Sequence, residues 1–381
     1  MQVDKPSTII AAVALSCIGV FGILAAPIFA NILGAGLQLD TDQIGLIIFA
    51  EIAGGALASI LASFWIQKAN WRLAASFAVI VVIVINILSG FQSDPTMLAV
   101  LRFLAGFLGQ GIAFAVAIGI INASSNPDRL FGFAVASQVS IGVLTLLVLP
   151  GLGELYGVKG VLWPLALLAV VVLPMLPSVP SKSPKRVEAG ASAPVTGSAT
   201  PAIIALAVLL IWCIGLGAVW AFLINIGVAG GLENTAAGQA LAISTTIGIA
   251  GALAASWLAG RGGRLAPVGI ALLIQIGAIM LLQGEMSFLR FTATCAVFQV
   301  FWNFTGPYLM GMVAASDNTG RISVLIPVAQ TGGFAIGPAI AGSIMAGDSL
   351  TGANNVGMAG ILVALVIFVP TVVRLAKQES T

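Results

Sequence analysis

The chain has 381 residues, of which 59% are hydrophobic and 7% charged; a soluble domain carries about 25% charged residues, so this composition excludes one. Histidine is absent and the three cysteines lie far apart in apolar runs, which excludes imidazole catalysis, most zinc sites and a disulfide framework. The net charge of +2 is too small to indicate nucleic-acid binding. We therefore expect a polytopic membrane protein that is not an enzyme and holds no metal or cofactor.

Twelve apolar runs are long enough to cross a bilayer as helices, for which about 20 apolar residues are needed. The runs are continuously apolar rather than alternating, which predicts helices and not the strands of a barrel. The predicted fold is an all-α polytopic membrane protein with twelve transmembrane helices in two pseudo-symmetric six-helix bundles. In chain order the runs cover residues 8–34, 43–66, 73–91, 97–121, 130–151, 160–178, 201–228, 237–259, 266–283, 288–314, 322–346 and 353–373.

The basic residues between the runs predict the orientation. If the N-terminus is cytoplasmic, twelve Lys and Arg residues fall on the cytoplasmic side and only Lys159 falls on the other. Because cytoplasmic loops carry the excess of basic residues, both termini are expected inside. Residues 1–30 are similar to a secretory signal, but their apolar stretch is too long for one, so they are interpreted as the first helix. The compact loops favour a bacterial inner (plasma) membrane.

A change in composition divides the chain. Residues 181–200 are rich in Pro, Ser, Gly and Ala, which predicts a flexible cytoplasmic linker between two bundles, residues 1–180 and 201–381. At an offset of 196, residues 43–68 lie over residues 239–264 without a gap. Two parallel repeats of six helices are typical of transporters.

Polar residues recur between the halves at nearly the same offset. At an offset of 188, Arg102 in the sequence Leu-Arg-Phe lies over Arg290 in the same tripeptide. At an offset of 192, Gln138 lies over Gln330. Charged and amide residues that recur in the same order strengthen the prediction of an internal repeat.

Two motifs resemble those of the major facilitator superfamily, and the resemblance covers the whole chain. The loop Ser256-Trp-Leu-Ala-Gly-Arg-Gly-Gly-Arg264 is similar to the family's G-x-L-A-D-R-x-G-R gating motif, with Gly260 in place of the acid. The fourth span, with Arg102 four residues before Gly106, is similar to the family's R-x-x-x-G motif. The resemblance implies a transporter whose basic loop residues contact the cytoplasmic gate: Lys68, Arg72, Arg129, Arg261, Arg264 and Arg321.

Glu51 is the one acid well inside a predicted span. It lies eight residues past Gln43, or about 12 Å into the membrane at 1.5 Å per residue. A charged side chain at that depth costs about 2.5–3.5 kcal/mol on insertion scales, so it must be neutral, paired or exposed to water. Two interpretations stay open: a proton-coupling site, or a structural ion pair or hydrogen bond inside the N-terminal bundle.

Arg102 and Arg290 are the basic residues inside predicted spans. Either both lie near the membrane interface and pair locally, Arg102 with Glu51 for example, or both face one cavity and bind a carboxylate or phosphate.

Aromatic residues form a stripe on the tenth span. Phe301, Phe304 and Tyr308 share one helical face with Arg290, a pattern that fits either a binding surface for an apolar substrate body or ordinary helix packing. Because the seventh helix lines the cavity in the family, and because repeated amides suit hydrogen bonding to a substrate, further substrate-binding candidates are Trp220, Asn225, Gln138 and Gln330.

The leading hypothesis is a secondary active transporter that works by alternating access and is coupled to protons or another ion. Its expected substrate is a small organic anion or amphipathic metabolite. We expect it to act as a monomer among membrane lipids. One alternative is an efflux antiporter for hydrophobic drugs, favoured by the glycine–proline run Gly332–Pro338, which is similar to a pattern in the family's exporters. Another is a receptor built on a transporter fold that does not transport.

Overall fold

The computed structural model describes residues 2–66, 68–125, 127–181, 200–258, 263–317, 322, 325–345 and 350–379. Throughout these residues the regular structure is helical. The chain divides into two compact units, Met1–Ala191 (unit 1) and Ser192–Thr381 (unit 2). The division falls inside the predicted linker, of which residues 182–199 lie outside the described residues.

Unit 1 contains six helices, and three of them, α2, α3 and α4, begin at a capping residue. Asp40 and Gln43 form a capping box before α2, while Asn70 and Asp94 cap α3 and α4 by accepting from main-chain N–H groups. These bonds satisfy donors that a helix leaves open at its N-terminus. The six helices are α1 Pro6–Leu37, α2 Thr41–Trp65, α3 Trp71–Ser89, α4 Pro95–Asn122, α5 Pro127–Tyr156 and α6 Val158–Ser178.

Unit 2 also contains six helices in chain order, and most of them have no charged residue. Its helices are α7 Thr200–Ala229, α8 Asn234–Leu258, α9 Leu265–Leu281, α10 Phe288–Ser316, α11 Ile326–Ile344 and α12 Thr351–Glu379. The predicted fold of twelve helices in two bundles is thereby confirmed.

Nine helices of the described residues are long and apolar enough to cross a membrane by themselves. Leu265–Leu281 is apolar but shorter. Helices α10 and α11 are not among the nine; Gln299 and Asn303 lie on α10, and Gln330 lies on α11 between Pro327 and Pro338.

Glycines allow the same pair of helices to cross closely in both units. In unit 1, a Cβ atom on Gly106 of α4 would overlap the main-chain oxygen of Glu51 on α2. In unit 2, a Cβ atom on Gly251 of α8 would overlap the main-chain oxygen of Val300 on α10. Small residues at such crossings let two backbones touch, and this contact brings polar side chains of the two helices together.

Two helices of unit 1 depart from regular α-geometry near this crossing. Helix α1 is interrupted at Val20, whose φ of −112° and ψ of 9° separate the segments Pro6–Gly19 and Phe21–Leu37. Helix α4 contains a π-helical turn over Ala105–Gln110. Such turns are rare and occur mostly as single turns inside α-helices.

Candidate functional site

A buried ion pair lies at the crossing of α2 and α4. The Nη1 atom of Arg102 lies 3.4 Å from Oε1 of Glu51, and the two residues are 0% and 5% exposed. The pair settles the question that the sequence left open, because Glu51 and Arg102 do meet. A negative charge is costly to bury, and the cation beside Glu51 offsets that cost.

Helix α3 completes the environment of the arginine. Nη1 of Arg102 donates to Oδ1 of Asn86 at 2.8 Å, and Nη2 donates to Oγ of Ser89 at 2.9 Å. Among the described residues, Nε of Arg102 and Nδ2 of Asn86 are buried without a hydrogen-bond partner. The guanidinium is thus held by two neutral acceptors of α3 and by the carboxylate of Glu51.

Gln110 binds the same carboxylate oxygen from the end of the π-helical turn. Its Nε2 donates to Oε1 of Glu51 at 2.6 Å. In a regular α-helix, residues eight apart differ by about 80° around the axis. The wider π-helical turn between Arg102 and Gln110 reduces this rotation, so both side chains reach Glu51.

The interruption of α1 lies against this network. The main-chain N–H of Gly22 donates to Oε1 of Gln110 at 3.3 Å. A Cβ atom on Gly22 would lie 3.0 Å from Cγ of Glu51 and 3.1 Å from Oε1 of Gln110. Glycine therefore lets α1 approach the carboxylate, and the side chain of Gln110 takes the place of a capping residue for the segment Phe21–Leu37.

Unit 2 contains an aromatic cluster, whereas unit 1 contains the charged pair. Trp302 of α10 is its centre, with ring centroids 5.6 Å from Trp220 of α7, 5.9 Å from Phe298 and 5.2 Å from Phe334 of α11. Trp220 and Phe334 are buried, while Trp302 is partly exposed. Rings at these spacings stabilise one another beyond their buried area.

The predicted stripe on α10 forms a second group of rings. Phe304 lies 6.3 Å from Phe301 and 5.2 Å from Tyr308 between ring centroids. The hydroxyls of Thr305 and Tyr308 and the Oδ1 atom of Asn225 are buried and make no hydrogen bond within the described residues. Unit 2 therefore offers apolar rings together with polar atoms that are free to bind a partner.

Amide side chains join α8 and α10 at the crossing in unit 2. Nε2 of Gln299 donates to Oγ1 of Thr245 at 3.4 Å, and Nδ2 of Asn303 donates to the main-chain oxygen of Gly248 at 3.2 Å. These bonds join the two helices that correspond to α2 and α4 of unit 1, but they carry no charge.

Arg290 does not repeat the environment of Arg102. It is exposed, and its guanidinium donates to the main-chain oxygens of Leu281, Gln283 and Glu285 at 3.2, 3.1 and 2.7 Å. It therefore ties the end of α9 to the start of α10. The sequence left two interpretations open for the arginines, local pairing or anion binding; in the structure Arg102 pairs with Glu51, and Arg290 bonds to the loop before its helix.

The remaining candidates are distributed over several helices of both units. Gln138 of α5 and Gln330 of α11 are partly exposed and lie in different units. Lys68 is exposed, and Arg264 is partly exposed directly before α9. Nε of Arg72 donates to the main-chain oxygen of Val179 at 2.9 Å, which joins the start of α3 to the chain after α6. Arg261, Arg321 and the side chain of Arg129 lie outside the described residues.

Sequence reasoning missed the neutral members of the network. Asn86 and Ser89 are three residues apart on α3, a spacing that places them on one face of a helix and that was a readable signal. The contact of Gln110 with Glu51 could not be predicted, because it depends on the π-helical turn. Trp302 points away from the predicted stripe, so only the packing of three helices reveals it as the centre of the aromatic cluster.

These features define an integral membrane protein of the transporter class, with two six-helix bundles and a buried ion pair in unit 1. Residues 9–342 match the sequence profile of the Major Facilitator Superfamily. The chain belongs to that superfamily, which makes it a transporter rather than an enzyme.

Solved structures agree in fold at low sequence identity. The nucleoside transporter NupG superposes with a TM-score of 0.74 at 14% identity, covering 97% of this chain and 98% of that one. The D-xylose-proton symporter gives a TM-score of 0.75 at 12% identity, covering 94% and 96%. A bacterial homolog of the human lysosomal transporter Spinster gives 0.68 at 15% identity, covering 97% and 96%. No curated protein sequence matches the chain.

Proposed function

We propose that this protein is a proton-coupled secondary active transporter of a small, amphipathic organic solute and that it works by alternating access. The single observation that carries the proposal is the buried pair of Glu51 and Arg102 on α2 and α4. An ionisable residue inside a membrane segment is costly, and such residues mark ion pathways and proton relays.

Glu51 is the proposed proton carrier. Its Oε1 atom receives the hydrogen bonds of Gln110 and Arg102, so a proton bound at this oxygen lies beside both partners. Protonation removes the negative charge next to Arg102 and changes the net charge of the pair from zero to +1. Such a change gives a proton gradient a means to bias two conformations, because it alters their relative free energies.

The same contacts bear on the substrate. Arg102 is buried and its charge is neutralised by Glu51. The hypothesis of an anionic substrate requires a cation that is available to the substrate, so it is less favoured. The rings around Trp302 and the unpaired polar atoms of Asn225 and Tyr308 favour a solute with an apolar body and hydrogen-bonding groups. A cation-efflux pump is less favoured, since it requires an unpaired acid, whereas Glu51 has a partner.

The cellular setting is part of the proposal. The distribution of basic residues in the sequence supports cytoplasmic termini in a bacterial inner membrane, and we propose a monomer as the transporting form. The cytoplasmic basic residues, Lys68 and Arg264 among them, are proposed as gate contacts. Arg72 also serves packing, through its bond to the oxygen of Val179.

The experiment is uptake into proteoliposomes with and without an inward proton gradient. The solutes are a nucleoside and D-xylose, which the structural neighbours transport, together with an aromatic carboxylate and a lipophilic cation. We expect saturable, gradient-driven accumulation of an uncharged solute. Glu51→Gln is expected to reduce accumulation to the level without a gradient while sparing counterflow.

Glu154→Gln is the matched control, because this acid is exposed at the end of α5; its accumulation is expected to equal that of the wild type. Gradient-driven uptake that persists in Glu51→Gln contradicts proton coupling through this residue. Transport of the carboxylate that is lost in Arg102→Ala restores the anion hypothesis, and a response to the lipophilic cation alone supports drug efflux.

A further inference from the structure

Gln110 joins the carboxylate of Glu51 to the interrupted backbone of α1. Its Nε2 lies 2.6 Å from Oε1 of Glu51, and its Oε1 lies 3.3 Å from the nitrogen of Gly22. The side chain is 4% exposed. We propose that Gln110 is a positioning residue that transmits the protonation state of Glu51 to the break in α1. The inference rests on the proposed function, in which Glu51 is the proton carrier.

The direction of the amide depends on the charge of its partner. An ionised carboxylate only accepts hydrogen bonds, so it requires the NH2 group of Gln110 and turns the amide oxygen towards Gly22. A proton that binds to Oε1, the oxygen that faces Gln110, forms an O–H bond, and the acid then becomes a donor to the amide. The reversed amide now fits, with its oxygen on the O–H group of Glu51 and its NH2 group opposite the N–H of Gly22.

The reversed arrangement places two donors against each other. The N–H of Gly22 then loses its acceptor, because neither an N–H nor an NH2 group accepts a hydrogen bond from the other. No electrons move in this step: one proton is bound, Arg102 keeps its charge, and one hydrogen bond to the main chain is lost.

The lost bond lies next to Val20, where α1 is interrupted. The segment Phe21–Leu37 has no side-chain cap of its own at Val20, and the first N–H groups of any helix lack partners within the helix. Gly22 is the second residue of that segment, which is where a capping side chain normally binds. Protonation of Glu51 therefore removes a cap and frees the start of this segment to move.

Few other charges act on Glu51. Helix α4 brings Arg102, which contacts the carboxylate directly. Helix α1 has no charged residue between Pro6 and Leu37. Helix α3 has only Arg72, in its first turn and bound to the oxygen of Val179, and α2 has Asp42 in its first turn. Arg102 is thus the one charged group that faces the proton site from these helices.

The experiment is hydrogen–deuterium exchange of the purified full-length protein, followed at the peptide that covers residues 20–24 over a pH range that extends from 9 to about 3, below the ordinary pKa of a glutamate. Rates are divided by the intrinsic rate at each pH. In the wild type we expect protection at high pH and lower protection, by about fivefold for one lost hydrogen bond, at the acid end of the range. In Gln110→Met we expect the lower protection throughout, without a pH step.

Thr145→Val is the matched control, since Thr145 is buried and its hydroxyl bonds only within α5, to the oxygen of Gly142. It is expected to keep the pH step of the wild type. A wild type whose protection does not change with pH overturns the inference, and this measurement requires no variant to fold. A pH step that persists in Gln110→Met overturns it as well, because a contact that merely packs α1 would not create the step.

Gradient-driven accumulation in proteoliposomes separates this inference from the proposed function. A pH step without accumulation leaves Gln110 as the link between Glu51 and α1 and removes proton-coupled transport. Accumulation that depends on Glu51 without a pH step retains the function and removes the link.

Discussion

The two units cross the same helices with different side chains. In unit 1, α2 and α4 touch at Gly106 and enclose Glu51 and Arg102; in unit 2, α8 and α10 touch at Gly251 and are joined by amides. The first crossing holds a charged pair, and the second adjoins aromatic rings and uncharged polar atoms. One backbone arrangement thus supports a charged pair in unit 1, which we propose as the proton site, and uncharged groups in unit 2, which we propose as contacts of the solute.

The two arginines show why repeated residues need not share an environment. Arg102 is the eighth residue of α4, which begins at Pro95, whereas Arg290 is the third residue of α10, which begins at Phe288. A difference of five residues corresponds to about 7.5 Å along a helix. Arg102 therefore reaches the buried crossing, while Arg290 stays in the first turn and bonds to the loop before it.

The largest difference in the free energy of unfolding is expected between substitutions of the two arginines. Arg102→Ala leaves Glu51 as a buried acid without its partner, which should lower the free energy of unfolding by about 3–5 kcal/mol. Arg290→Ala, at an exposed site, should lower it by less than about 1 kcal/mol. Chemical unfolding in detergent measures both, and similar losses would contradict the comparison. The double variant Arg102→Ala with Glu51→Gln should recover part of the loss.

A smaller difference is expected between the neutral partners of the two crossings. Asn86→Leu removes an acceptor from the charged Arg102 and should cost about 1.5–3 kcal/mol of unfolding free energy, because hydrogen bonds to charged groups are the stronger ones. Gln299→Met removes a bond between neutral groups, to Thr245, and should cost about 0.5–1.5 kcal/mol. The same unfolding measurement checks both, and an equal or reversed order would show that the charge in unit 1 is not what distinguishes the crossings.

The glycines at the crossings should respond alike. Gly106→Ala and Gly251→Ala each place a Cβ atom on a main-chain oxygen of the facing helix, so the two backbones must move apart at a cost of about 1–3 kcal/mol. Unfolding of each variant tests this, with Gly277→Ala as control because a Cβ atom there meets nothing within 4 Å. A loss in only one unit would show that the crossings are not equivalent.

The smallest effect on stability, but a selective effect on uptake, is expected at Trp302. Trp302→Leu removes the central ring of the aromatic cluster and should raise the KM for the solute severalfold, while the dependence of uptake on pH stays that of the wild type. Uptake measured against solute concentration at several pH values tests this. A shifted pH profile with an unchanged KM would contradict the division of roles between the units.

The sequence alone determined the class of the protein. An apolar composition with long uninterrupted runs forces helices, because a bilayer core satisfies no open main-chain group, and the recurrence of polar residues at a constant offset predicted the two bundles. It also placed Glu51 deep in a span, because depth follows from counting residues along a helix.

Only the tertiary structure decided which of these residues meet. Glu51 and Arg102 are 51 positions apart in the chain, and they pair because glycines bring α2 and α4 into contact. Gln110 and Gly22 join that pair through a π-helical turn and an interrupted helix, neither of which a regular 3.6-residue period predicts. Arg290 and Arg102 share a tripeptide, yet a few residues of helix length separate a buried charge from an exposed one.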